Sequence, residues 1–104
     1  SGSATASSKP RKSWVTKGDK EPGYVNSHHL VINWSEFATG TYKVACRDTY
    51  GESDYITEYR YTVNVDSSSG FYELGCFYGY PGSQVWITWE SGPGAPFDSS
   101  RLTW

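Results

Sequence analysis

From residue 28 to residue 35, Leu30, Ile32 and Trp34 fall on one side of an extended chain. His29, Val31, Asn33 and Ser35 fall on the other. A few residues later Tyr42, Val44 and Cys46 share a side opposite Thr41, Lys43, Ala45 and Arg47. A period of two is the pattern of strands with one buried face. The same pattern returns over residues 55–65, where Tyr55, Thr57, Tyr59, Tyr61, Val63 and Val65 alternate with Ile56, Glu58, Arg60, Thr62 and Asn64. A strand over 71–78 follows, with Tyr72, Leu74 and Cys76 inward and Phe71, Glu73 and Phe77 outward. Another over 84–90 sets Val85, Ile87 and Trp89 inward and Trp86 and Thr88 outward. Leu102 and Trp104 share a side in a closing segment, and Ser13 to Thr16 reads as a short opening strand whose Trp14 caps the open side of the sandwich.

Between these runs lie polar or Gly- and Pro-rich breaks. They are the turn-rich link 17–23, the loop 49–54, Asp66 to Gly70, Gly79 to Gly82, and the proline-containing loop 91–96. Six or seven short strands with frequent turns predict an all-β, antiparallel sandwich or small barrel. Composition agrees: three Leu, three Ile and no Met leave little for helix packing, while nine Tyr, five Trp and four Phe suit pleated sheets. At 104 residues the chain is one domain. Residues 1–12 read as a flexible linker or a cloning remnant, and 13–104 as the sandwich.

The formal charge of -2 hides an asymmetry. Lys9, Arg11, Lys12, Lys17 and Lys20 lie near the start, whereas residues 21–104 hold ten acidic residues against Lys43, Arg47, Arg60 and Arg101. So acidic a body is a poor phosphate surface, which excludes nucleic acid as the expected partner. Cys46 and Cys76 both fall inward, and a disulfide between them is the expectation, with two buried thiols as the alternative. A disulfide implies an oxidising compartment, hence an extracellular or cell-surface location. No signal peptide or membrane span is evident, so a mature piece of a longer chain, without membrane insertion, is expected.

The run Leu30 to Ser35 resembles the second strand of fibronectin type III and related immunoglobulin-like modules, which ends in a core Trp. Tyr42-Lys43-Val44 resembles the third strand. Leu74 and the run Tyr80 to Trp89 resemble the family's leucine, its Pro-Gly turn and its sixth strand. The resemblance implies a sandwich with Cys46 and Cys76 on the third and fifth strands, in opposite sheets. It also brings to mind spacer, adhesive or accessory modules of secreted or surface-anchored bacterial proteins.

No catalytic constellation accompanies the strands, and no enzyme is expected. His28 and His29 are adjacent on a strand and point to opposite faces, so at most one can serve a site. Gly92-Pro93-Gly94 has proline where a phosphate cradle needs donors. Asp48, Glu52 and Asp54 make a weak calcium candidate, and no metal or other cofactor is expected. What stands out is the aromatic content left over after the core is filled. Trp86 and Phe77 face outward, and Tyr50, Tyr78 and Tyr80 sit in or beside turns. These five are the expected ligand-binding residues, for a protein partner or a polysaccharide, in a domain that is a monomer in isolation.

Overall fold

The structure, a computed structural model, describes residues 12–20, 22–23, 27–49, 56–78 and 81–104; for 76–78 the description is of the backbone alone. Among the described residues there are eight strands and no helix: β1 (Lys12–Lys20), β2 (His28–Ser35), β3 (Gly40–Thr49), β4 (Ile56–Val65), β5 (Gly70–Tyr78), β6 (Gln84–Ser91), β7 (Phe97–Asp98) and β8 (Leu102–Thr103). They form two antiparallel sheets. One has the order β1-β2-β5, the other β4-β3-β6-β7 with β8 also on β6. The expected all-β sandwich is present. Its closing segment divides into two very short strands on β6.

The core is the set of inward positions from both layers. Val15, Leu30, Ile32, Trp34 and Leu74 come from the three-stranded sheet. Tyr42, Val44, Cys46, Val63, Val65, Val85, Ile87 and Trp89 come from the five-stranded one. Trp89 is its centre. Trp34 and Tyr42 stand edge-on to it at 6.1 and 5.0 Å, Phe37 tilts onto it at 4.6 Å, and Phe97 stacks parallel at 6.0 Å. Offset and edge-to-face pairs of this kind add stability beyond the area they bury. Each polar ring atom is satisfied: Trp89 Nε1 donates to Ser13 Oγ, Trp34 Nε1 to Ser67 O, and the Tyr42 hydroxyl to Ala38 O.

Phe37 reaches this cluster from a turn rather than a strand. Glu36 takes a positive φ of 63°, and the Phe37 amide then donates to Ser68 O. Gly92, with φ 125°, lies so close to Tyr42 that a Cβ there would meet the ring at 2.6 Å. That close approach is the reason for glycine in the loop after β6.

The opening strand departs from expectation. It is nine residues long and runs through Lys17 to Lys20, which the Gly and Asp had suggested was a turn. Its phase is also the reverse. Ser13 and Val15 are buried, and Trp14 faces outward at 40% exposure. Ser13 can be inside because its hydroxyl accepts from Trp89 and donates to Asn33 O, leaving no unpaired polar atom. Tyr59 and Tyr72, expected inward, are 52% and 50% exposed because β4 and β5 are edge strands with no covering layer beside them among the described residues.

Candidate functional site: the outer face of the three-stranded sheet

Register brings together residues that are far apart in sequence. Trp14 on β1 stands opposite Asn33 on β2, and Asn33 opposite Phe71 on β5. All three belong to the outward phase, so they form one row across the sheet, with the two rings separated by two strand spacings, roughly 10 Å. Phe71 is the more exposed ring, at 72%. The next row is Thr16, Val31 and Glu73. The outer members of both rows are exposed, while Asn33 and Val31 in the middle are half-buried.

Asn33 is fixed between the rings. Its Nδ2 is shared among Trp14 O at 3.3 Å, Thr16 Oγ1 at 3.2 Å and Val31 O at 3.3 Å. This holds the amide in the row and leaves Oδ1 to accept from a ligand donor. At one end of the face His29 Nδ1 lies 3.3 Å from Glu73 Oε2. The face is thus two aromatic platforms with hydrogen-bonding groups between and beside them.

Of the five residues expected to bind ligand, Trp86 is placed fully, and it is not available. It faces outward as expected, but from the five-stranded sheet, and it is only 3% exposed. The Arg101 guanidinium covers it at 3.9 Å from the ring centroid, held there by a 2.9 Å bond to Gln84 Oε1. A planar cation over an indole face is a favourable lid. Phe77 and Tyr78 lie on β5, with their side chains outside the described residues; Tyr50 and Tyr80 lie outside them entirely. Sequence reasoning missed Trp14, because a large ring was set inward where a small serine belongs. It did place Asn33 and Phe71 outward.

His28 Nδ1 donates to Gly18 O at 3.1 Å, and its ring stands edge-on to Trp104. Asp48 receives a hydrogen bond from Thr57, its cross-strand neighbour. Burial pushes the Asp48 carboxyl up, with that hydrogen bond opposing. Glu52 and Asp54, its proposed calcium partners, lie outside the described residues, and no cluster of metal-ligating side chains occurs among those described. Cys46 is fully buried on β3, and Cys76 lies on β5 in the facing sheet, its side chain outside the described residues. A cavity of about 450 Å³ is lined by Lys43, Arg60, Tyr61, Thr62, Glu90 and Ser91. Its charged walls are mostly engaged with each other, Arg60 Nε lying 3.0 Å from Glu90 Oε1 and Lys43 Nζ 3.1 Å from Thr62 Oγ1.

These features describe an all-β domain of two antiparallel sheets. No protein-family model matches the chain, and neither a curated protein nor a solved structure matches it.

Proposed function

We propose that the chain is a non-catalytic β-sandwich module of a larger exported protein, making contact through the outer face of its three-stranded sheet. The observation that carries this is the row Trp14–Asn33–Phe71: two exposed rings around a pinned amide, on the outer face of the sheet. Large exposed rings are costly to leave in water and are favoured anchors of interfaces. The strand order supports a fibronectin type III-like module, since β3 and β5 fall in facing sheets as that resemblance implies. Modules of this kind serve as spacers or accessory binders on secreted or surface-anchored bacterial proteins.

A second reading, recognition of a cell-wall or plant polysaccharide, is favoured by two exposed rings standing in one row with an amide between them. Pyranose rings stack on aromatic faces, and an amide oxygen between them meets sugar hydroxyls. Retention on insoluble cellulose, chitin and peptidoglycan separates the two readings. Retention lost in the Trp14→Ala, Phe71→Ala double variant assigns a glycan. Retention on none of the three points to a protein partner. Retention unchanged after both rings are removed refutes the use of this face.

Export rests on Cys46 and Cys76 being joined; they lie on strands of facing sheets, as the resemblance implies, and no disulfide occurs among the described residues. Thiol titration after denaturation without reductant is expected to find no reactive thiol. Two reactive thiols would remove the case for an oxidising compartment.

A further inference from the structure

The five-stranded sheet ends on β4, whose one described neighbour is β3. The ladder between them runs without a bulge from Gly40↔Val65 to Thr49↔Ile56. A regular ten-residue edge with no proline and no lysine is the kind that proteins usually blunt. Along it, positions 56–62 are exposed or half-buried, while Val63 and Val65 are buried. Tyr59 is the middle of that open stretch.

We propose that the chain self-associates through this edge. Two copies pair β4 to β4, antiparallel, about a two-fold axis at Tyr59, so that two five-stranded sheets continue as one. In an antiparallel pair, opposite residues present their backbone groups in the same sense, so the centre of a self-pairing falls on a residue and not between two. Charge then selects among the residues. A centre at Arg60 sets arginine against arginine, and one at Glu58 sets glutamate against glutamate. A centre at Tyr61 leaves both charges opposite neutral residues. At Tyr59, Glu58 stands opposite the second copy's Arg60 and Arg60 opposite the second copy's Glu58, and Thr57 meets Tyr61 in the same way.

Opposite-charge pairs directly across two strands are favourable and like-charge pairs unfavourable. The sequence order Glu58-Tyr59-Arg60 is therefore self-complementary, as an isologous contact requires. The pairing also brings the two half-exposed Tyr59 rings together on the inner side of the joined sheet. The expectation of a monomer then holds only in dilute solution.

Sedimentation velocity of the native chain, from micromolar to millimolar concentration, is expected to show a reversible monomer–dimer equilibrium. Glu58→Arg alone and Arg60→Glu alone each set like charges opposite at two places, and each is expected to stay monomeric. Mixing these two variants restores dimer, because every arginine then faces a glutamate. The double reversal in one chain restores it as well. Both positions also contact Arg47 or Glu90 within the chain, so Tyr59→Lys serves as a variant free of those pairs; it sets two like charges on the axis and is expected to abolish the dimer. A native chain that stays monomeric throughout, or a dimer that survives the single reversals, or mixed variants that fail to associate, would overturn the proposal.

Discussion

The two outer faces of the sandwich are finished in opposite ways. On the five-stranded sheet the chain covers its own surface. Arg47 lies 2.7 Å from Glu58 and 3.8 Å from Glu90, and Arg60 lies 3.3 and 3.0 Å from the same two acids. Beneath these long side chains Ala45 is fully buried, and beside them Arg101 roofs Trp86. The contact from Arg47 Nε is an ion pair rather than a hydrogen bond, because the N–H does not point along it. On the three-stranded sheet the rings of Trp14 and Phe71 have no such roof among the described residues. An outward tryptophan is therefore not in itself a platform. It becomes one only where no long cationic neighbour lies down over it.

Removal of each outward tryptophan in turn should separate the two faces most widely. Trp86→Ala leaves a hole beneath Arg101 and is expected to lower stability by about 3 kcal/mol, in the range of buried Trp truncations. Trp14→Ala removes a ring already facing water and is expected to cost below about 1 kcal/mol, in the manner of surface substitutions. Chemical denaturation of both variants checks this, and equal losses would contradict it. Next in size is Arg101→Ala, which uncovers Trp86 and is expected to cost on the order of 0.5–1 kcal/mol, the scale of an exposed cation–π contact. It should also red-shift part of the tryptophan emission, whereas Arg101→Lys retains much of the cover.

The smallest effect is in pH. The hydrogen bond from Arg60 holds the Glu90 carboxyl below its ordinary range. Its contribution is present above the unfolded value and is lost as pH falls through the folded one. Asp48 runs the other way. With its carboxyl raised by burial, stability falls as pH rises through the window between the unfolded and the folded values, and acid returns it. Melting temperature against pH should therefore lose part of its acid-side drop in Glu90→Gln and gain slightly at neutral pH in Asp48→Asn. Curves parallel to the native one would count against both assignments.

Much of the architecture was legible in alternation, because period two reports burial directly wherever a strand sits mid-sheet. Leu30, Ile32 and Trp34, then Tyr42, Val44 and Cys46, then Val85, Ile87 and Trp89 are all buried, as their phase implies. Alternation says nothing of sheet order, so it could not mark β4 and β5 as edges whose inward tyrosines stay half in water. It was also misled on β1. There Trp14 was expected to cap the open side of the sandwich, whereas the buried positions are Val15 and a serine made tolerable inside by Trp89 and Asn33. Phe37 escaped because a turn residue has no period. The cover on Trp86 depends on a side chain from the far end of the chain, and no local pattern contains that contact. For the candidate face, sequence supplied Asn33 and Phe71 as outward positions, and pairing register supplied the row.

The most direct test of the difference between the faces is solvent relaxation of the five tryptophan indole N–H signals by a soluble paramagnetic agent. The indole of Trp14 is expected to relax much faster than those of Trp86 and Trp89. If Trp14 proves as protected as Trp89, or Trp86 as exposed as Trp14, the open face is not where it has been placed, and the contact surface proposed on it fails.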